Sequence, residues 1–269
     1  MDDKVTFGYR LVSPADKTRL VQEQFDPIAR TYDLADTLLS FGLDSHWRRK
    51  SIRLLDLGTG DRVLDVCGGT AGLARLAARR VGPSGRVVVC DLNRAMMEEG
   101  RRRLAAAGAA GAVSFVLGNA ETMGFPDASF DAVTIGFGLR NLTHLEKGLR
   151  EFFRVLRPGG KLMVLEFSLP ANRLLRGLYH LYSFRWMPFA GRLVCGTGAS
   201  FRYLAESIRV FPAPAELAER MRRAGFTGLR FHMLTDGIAV AYLGTKPGPG
   251  AGHGERVGPA GPREKELPE

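Results

Sequence analysis

The chain has 269 residues, of which 45% are hydrophobic and 25% charged, with a formal net charge of +10. These values are typical of a soluble globular protein with a substantial core. No apolar run approaches the ~18 residues of a transmembrane helix, and the start, MDDKVTFGYR, lacks the apolar core of a secretion signal. We therefore expect a cytoplasmic protein.

The positive charge comes mostly from arginine, including clusters at residues 79–80, 101–103 and 222–223. A solvated helix face is the favoured interpretation of each cluster, although the net charge also favours contact with phospholipid or nucleic acid. Cys67, Cys90 and Cys195 lack the paired spacing of a zinc site. We predict reduced, mostly buried cysteines and no metal site.

The predicted elements begin with helices over residues 15–55. Five strand-length apolar runs then alternate with amphipathic segments, at residues 62–66, 86–90, 113–117, 132–137 and 161–167. Such alternation predicts a parallel sheet with helices on both faces. Runs 229–235 and 238–245 flank an Asp236-Gly237 turn, which predicts an antiparallel hairpin at the end of the sheet.

This order predicts one α/β, Rossmann-like domain with a mostly parallel seven-stranded sheet. Residues 1–55 are predicted to form a helical cap and residues 56–245 the domain, with an aromatic- and arginine-rich insertion at about 171–210. Leading helices and insertions on this fold usually cover the ligand crevice. The Gly-, Pro- and charge-rich residues 246–269 are predicted to be a disordered tail.

The turn after the first strand of the sheet carries small residues, Gly68, Gly69 and Thr70, before a helix. Small residues allow a sharp turn and a close ligand approach, and the helix N-terminus offers free N–H groups. The dinucleotide spacing G-x-G-x-x-G is absent. Asp91 ends the next strand at about the ~20-residue distance expected of a ribose-binding acid, with a helix cap as the alternative.

A third element, Asn119 and Ala120, follows the next strand and can contact an adenine edge, although a turn or helix cap is an equal alternative. Three such elements in order at consecutive strand ends predict a nucleoside cofactor in one crevice. With FPDASFD at residues 125–131 and LRPGGKLMV at 156–164, they give the running order of class I S-adenosylmethionine-dependent methyltransferases.

The sequence closely resembles the C-methyltransferases of ubiquinone and menaquinone biosynthesis. The resemblance rests on FDPIARTYD, LSFGLDSHWRR, VLDVCGGTAGLA, TIGFGLRN, VLRPGGKLMVLEFS and YLAESIR. It implies methylation of a prenylated quinol ring carbon, with Thr70, Asp91, Asn119 and Ala120 contacting S-adenosylmethionine. Gly136 replaces a serine of ubiquinone-type members that touches the cofactor and so favours demethylmenaquinol, and Ala71 replaces a common glycine.

Forming a carbon–methyl bond on a quinol requires a site that accepts the hydroxyl proton or stabilises the phenolate. The candidates are Arg140 and Asn141 after the fourth strand of the sheet, with Tyr32 and Asp33 from the leading helices. Arg140 has an alternative role, bracing the strand end through an ion pair with Glu166. His144 is more typical of a surface or helix-cap residue.

Three other functions are alternatives for this sequence. Base methylation is disfavoured because GFGLRN replaces the Asn/Asp-Pro-Pro-aromatic motif of amino-group enzymes, and Cys195 lacks a Pro-Cys or Thr-Cys context; we expect no nucleic-acid partner. A non-catalytic scaffold and methylation of another small hydrophobic ring are the others. A homodimer and a quinone-biosynthesis complex both stay open.

The insertion contains an amphipathic segment at residues 173–192. Leu174, Leu178 and Leu181 form a helical apolar stripe beside Arg173 and Arg176. Leu175, Tyr182, His180, Trp186 and Phe189 extend the pattern. Such a segment shelters a prenyl tail or rests among headgroups, which predicts peripheral contact with the inner face of the cell membrane; a helix packed on the core is the alternative.

Overall fold

The computed structural model describes residues 4–109 and 111–248. As predicted, helices precede the main sheet: α1 (Pro14–Phe25), α2 (Tyr32–Leu39) and α3 (Leu43–Leu55). Helix α1 begins where the Ser13 hydroxyl accepts a hydrogen bond from the Asp16 N–H, a standard N-cap. An unpredicted antiparallel hairpin, β1 (Val5–Phe7) and β2 (Arg10–Val12), comes before it.

The main sheet has seven strands. They are β3 (Arg62–Val66), β4 (Arg86–Asp91), β5 (Val113–Leu117), β6 (Phe130–Gly136), β7 (Leu156–Phe167), β8 (Thr227–Leu234) and β9 (Ala239–Thr245), in the order β5-β4-β3-β6-β7-β9-β8. The first five are parallel, and β9 is antiparallel to both β7 and β8. The predicted sheet and terminal hairpin are confirmed. Strand β7 starts earlier than predicted because Leu156 pairs with Phe130 ahead of a register shift.

Helices cover both faces of this sheet. They are α4 (Gly72–Val81), α5 (Arg94–Ala106), α6 (Leu145–Val155) and α10 (Pro214–Arg223), with α7 (Arg173–Leu181), α8 (Met187–Cys195) and α9 (Ala199–Val210) in the insertion. Alternate residues of β3 point into two cores, Val63 into one and Leu64 into the other, as in a sheet buried on both faces. The chain reverses direction across the sheet between β3 and β6, which places a ligand crevice at their carboxyl ends.

Three sequence predictions concern the surface and the ends of the chain. Arg79, Arg80, Arg222 and Arg223 are exposed, as expected of solvated helix faces. The predicted tail lies outside the described residues except for residues 246–248. No helix within the described part of the chain is long and apolar enough to cross a membrane.

Candidate active site

The turn between β3 and α4 holds its backbone against the end of β4. The Gly69 N–H donates a hydrogen bond to Asp91 Oδ2 over 2.8 Å. Gly69 has a φ of +48°, and a Cβ there would lie 3.2 Å from Met96 Cε, so the position favours glycine. Ala71 has a φ of +65°, a left-handed conformation that costs an L-residue about 1–2 kcal/mol.

Asp91 presents a fixed acceptor at this strand end. Its Oδ1 accepts a hydrogen bond from the Asn93 N–H over 2.8 Å, and each carboxylate oxygen keeps a further lone pair. Burial raises the pKa of Asp91, against the effect of the N–H groups of Asn93 and Gly69. The side chain that caps α5 is Asn93, which accepts from the Met96 N–H, so Asp91 is free of the capping role.

The third strand end has a turn that ties two loops together. Asn119 Oδ1 accepts from the Glu121 N–H over 2.9 Å, as the turn alternative predicted, and its Nδ2 has no partner among the described residues. Glu121 Oε1 accepts from the N–H groups of Thr143 and His144 at 2.6 and 3.1 Å. The loops after β5 and β6 thereby close one wall of a crevice.

This crevice, the cofactor cavity, has a volume of about 1070 Å³. All seven residues predicted to bind the cofactor line it: Gly68, Gly69, Thr70, Asp91, Asn119, Ala120 and Gly136. At Gly136 a Cβ would lie 2.6 Å from Leu73 Cδ1. A serine there therefore requires Leu73 to move.

Helix α1 covers the cofactor cavity. The sequence predicted a helical cap but not which of its residues line the cavity. Thr18, Gln22 and Phe25 line the cavity from this helix. At one end, the buried Lys17 Nζ donates to the Leu142 carbonyl over 2.6 Å. Burial lowers the pKa of Lys17 to about 8, although the charge of Glu121 raises it.

A second cavity of about 800 Å³, the acceptor cavity, adjoins the first. Phe25 and Tyr32 line both. Six aromatic side chains dominate the rest of its wall: Trp47, Phe167, Tyr179, Tyr182, Phe201 and Tyr203. A flat apolar ring fits such a lining, and a few polar groups at its edge can fix its orientation.

Arg140 is the buried cation of the acceptor cavity. Its Nη1 lies 2.9 Å from Glu166 Oε2 and also donates to the Phe137 carbonyl. The ion pair that the sequence offered as an alternative role is therefore present. The Nε of Arg140 is buried and has no hydrogen-bond partner among the described residues. Burial lowers the pKa of Arg140, but the charge and the hydrogen bond of Glu166, together with contributions from Tyr32 and Tyr203, raise it by more, so the pKa lies above its usual range.

Tyr32 stands between the two cavities, near the Asp36–Arg48 ion pair. Burial raises the pKa of Tyr32, and the charge of Asp36 adds to this effect. Arg48 Nη2 lies 2.5 Å from Asp36 Oδ2, yet burial still raises the pKa of Asp36 to about 6. Arg48 lines the cofactor cavity and Asp36 the acceptor cavity, and neither residue was predicted from the sequence.

Comparison with known proteins decides the family. The model of the ubiE/COQ5 methyltransferase family matches residues 13–246. The chain belongs to the ubiE/COQ5 methyltransferase family. Two relatives named ubiquinone/menaquinone biosynthesis C-methyltransferase UbiE, from Pseudomonas entomophila and Pseudomonas savastanoi pv. phaseolicola, are 46% and 47% identical to it, over 90% of this chain and 94% of each relative.

Solved structures agree on the fold. A SAM-dependent methyltransferase from Thermotoga maritima has a TM-score of 0.58 at 19% identity, covering 83% of this chain and 98% of that one. Phosphoethanolamine N-methyltransferase 2 of Haemonchus contortus, with bound S-adenosyl-L-methionine, has a TM-score of 0.53 at 17% identity, covering 71% and 50%. With its family, the chain is an S-adenosylmethionine-dependent C-methyltransferase.

The groups that line the cofactor cavity suit S-adenosylmethionine. Gly69 lets a ligand approach the backbone closely, Asp91 offers carboxylate lone pairs, and Asn119 has an unpartnered amide Nδ2. These groups suit a nucleoside with ribose hydroxyls and an adenine edge. Within the described residues, no cluster of His, Cys, Asp and Glu could hold a metal ion.

Two of the candidate residues from the sequence, Asp33 and His144, stand outside both cavities. Asp33 accepts a hydrogen bond from Thr70 Oγ1 and forms an ion pair with Arg103 over 2.5 Å. His144 immediately precedes α6. Neither residue lines either cavity. Thr70 and Arg103 hold the Asp33 carboxylate, and a role for Asp33 at the reacting ring stays a prediction.

Proposed function

We propose that this methyltransferase methylates a ring carbon of a prenylated quinol, with demethylmenaquinol the favoured acceptor. The names of its 46–47% identical relatives support a quinone substrate. The observation that carries the proposal is the unpartnered Nε of Arg140 in a buried, aromatic-lined cavity beside the cofactor cavity. An unmet buried donor is costly, and a quinol oxygen satisfies it.

S-adenosylmethionine supplies an electrophilic methyl group when bound by Asp91, Asn119 and the Gly68–Thr70 backbone. Arg140 then stabilises negative charge on the quinol oxygen as its proton leaves, because a guanidinium donates but does not accept protons. That charge makes the neighbouring ring carbon nucleophilic toward the methyl group; the hydrogen on this carbon then leaves as a proton and the oxygen takes up a proton, which restores the quinol. The aromatic wall shields the ring from bulk water, which strengthens the interaction of Arg140 with the oxygen.

Asn141 and Tyr32 act beside Arg140 in this proposal. Asn141 lines the cofactor cavity, and its Nδ2 has no partner among the described residues, so it can donate to the quinol oxygen or to a water that carries the proton away. Tyr32 lines both cavities. Because burial raises its pKa, Tyr32 keeps its proton and serves as a donor rather than as a base.

Exposed apolar side chains that suit a lipid surface neighbour, along the chain, the residues that line the acceptor cavity. Helix α7 has no buried residue, which disfavours the core-packed alternative. The apolar rim consists of Leu34, Leu38 and Phe41 near α2 with Leu174, Leu178, Leu181, Trp186, Phe189 and Leu193, all more than half exposed. Phe41 and Tyr182 join its two parts, with ring centroids 5.9 Å apart.

Charge around the apolar rim points to an anionic bilayer. Arg173, Arg176, Arg185 and Arg192 are exposed, and residues 167–205 contain no Asp or Glu. Basic residues beside exposed aromatic and leucine side chains are typical of helices that lie in the headgroup region. We infer that the rim rests on the membrane and admits the quinol head while its prenyl tail stays in lipid.

Quinone extraction tests the proposed function. A strain lacking this protein is expected to accumulate demethylmenaquinone and to regain menaquinone when the wild-type gene is restored. Accumulation of a demethylated ubiquinone precursor instead would assign the benzoquinol. An unchanged quinone pool would contradict the proposal and leave another small aromatic ring as the acceptor.

A further inference from the structure

Tyr203 and Asn141 connect the two cavities. Tyr203, on α9, lines the acceptor cavity and Asn141 the cofactor cavity. The Tyr203 hydroxyl donates a hydrogen bond to Asn141 Oδ1 over 2.9 Å. Burial raises the pKa of Tyr203 to about 12, so the hydroxyl keeps its proton at neutral pH. With its oxygen engaged in this way, Asn141 directs its NH₂ group elsewhere.

The N-terminal hairpin holds the Tyr203 ring in place. Phe7 of β1 stacks on Tyr203 with ring centroids 4.2 Å apart and an interplanar angle of 17°. Both rings are buried, at 4% and 6% exposure. The hairpin is fixed to α9 by a second contact, in which the Tyr9 N–H donates to Glu206 Oε2. Because Phe7 stacks on the Tyr203 ring and the hairpin that carries Phe7 is itself fixed to α9, the Tyr203 hydroxyl has little freedom to move.

We propose that Tyr203 is a positioning residue for the methyl acceptor: it orients the Asn141 amide so that the NH₂ group faces the quinol oxygen. This role rests on the proposed function, in which Asn141 contacts the acceptor. An amide without a fixed partner can rotate by half a turn and present its oxygen to the quinol oxygen instead. The bond that the Tyr203 hydroxyl donates to the amide oxygen favours the orientation that leaves the NH₂ group for the quinol oxygen, and Tyr203 does this without touching the reacting atoms.

The test compares Tyr203→Phe with Tyr242→Phe. Both remove one hydroxyl from a buried tyrosine, but Tyr242 lines neither cavity. Tyr203→Phe keeps the stack on Phe7 and is expected to lower kcat for demethylmenaquinol about tenfold, the worth of one hydrogen bond, while the protein stays folded at the assay temperature and its S-adenosylmethionine affinity is unchanged. Tyr242→Phe should leave kcat within twofold of wild type.

A double-mutant cycle separates positioning from an independent effect. In an Asn141→Ala background, Tyr203→Phe is expected to cause no further loss of kcat, because the group that it orients is gone. Losses that multiply would overturn the proposal, as would a kcat of Tyr203→Phe equal to that of wild type.

A spectroscopic readout keeps this proposal separate from the proposed function. In asparagine-labelled protein saturated with S-adenosylmethionine, the Asn141 side-chain N–H₂ resonances, identified by their loss in Asn141→Ala, should shift in Tyr203→Phe and not in Tyr242→Phe. Unshifted resonances would overturn the positioning role. A wild-type enzyme that methylates no quinol would contradict the proposed function, while this shift would still report on the Asn141 amide.

Discussion

The guanidinium of Arg140 and the carboxylate of Glu166 form an ion pair in the interior, with side-chain exposures of 4% and 0%. Glu166 also accepts the backbone N–H groups of Arg140 and Phe167. The pair therefore fixes the strand end of β7 against the turn after β6. It leaves Arg140 Nε buried and without a hydrogen-bond partner among the described residues.

Removing Arg140 alone should lower both the stability and the methylation rate, and a double variant separates these two effects. Arg140→Met leaves Glu166 buried without its partner, which typically costs about 3–5 kcal/mol of stability. Arg140→Met/Glu166→Gln should recover most of that stability in urea unfolding. Because the charge stabiliser is still missing, its methylation rate should remain lower by about 10² to 10³. Wild-type turnover in the double variant would limit Arg140 to a structural role.

Asp91→Asn is expected to weaken S-adenosylmethionine binding more than fivefold, about 1 kcal/mol. The amide loses one of the two oxygens that accept from Gly69 and Asn93. Asp61→Asn is the matched control, since Asp61 also accepts a glycine N–H, from Gly58, but lines no cavity. Calorimetric titration measures both. If Asp91→Asn bound S-adenosylmethionine as tightly as the Asp61→Asn control, Asp91 would not belong to the cofactor site.

The pH dependence of stability should carry the signature of Asp36. Burial raises its pKa from 3.8 to about 6, so between these pH values the folded protein holds a proton that the unfolded chain has released. The free energy of unfolding contributed by Asp36 therefore falls as the pH rises through this window. In Asp36→Asn this contribution is gone, so the unfolding free energy should fall less from pH 4 to pH 6 than it does in the wild type.

Asp65 provides the control for this experiment, because burial raises its pKa to about 7 and it is present in both proteins. Its contribution cancels when the wild-type and Asp36→Asn curves, measured by urea unfolding across the same pH range, are subtracted. A flat difference curve from pH 4 to pH 6 would show that Asp36 titrates at its ordinary pKa.

The apolar rim predicts binding to anionic vesicles. Replacing Leu178, Trp186 and Phe189 by Ser should abolish co-flotation at low salt, because these side chains supply the buried area of the contact. Leu117→Ser is the control, since Leu117 is 56% exposed on β5, an edge strand outside the rim. Equal flotation of the triple variant and the control would contradict membrane contact through the rim.

Sequence periodicity was sufficient for the sheet and for the cofactor turn. Parallel strands end at one edge, so the order of Gly69, Asp91 and Asn119 along the chain predicted their common cavity. The Arg140–Glu166 pair was also foreseeable as an alternative, because β6 and β7 are adjacent and both residues follow or end these strands.

Other parts of the site depend on tertiary contacts that local patterns do not encode. The strands of the N-terminal hairpin have three residues each, too few for a periodic signal. Phe7 is buried because it meets Tyr203, nearly two hundred residues away in the chain. Likewise, Asp36 and Arg48 lie in a helical segment that reads as amphipathic, and the ion pair between them forms only when α2 packs against α3.

The most direct test of the account is methyl transfer by the purified protein. It is supplied with S-adenosylmethionine labelled with ¹³C at the methyl group and with demethylmenaquinol in anionic vesicles, and the product is read by carbon NMR. We predict one labelled methyl group at the chemical shift of a methyl on a quinone ring carbon. A label at the shift of an O-methyl group, or an unlabelled quinol from a protein that binds the cofactor, would contradict it.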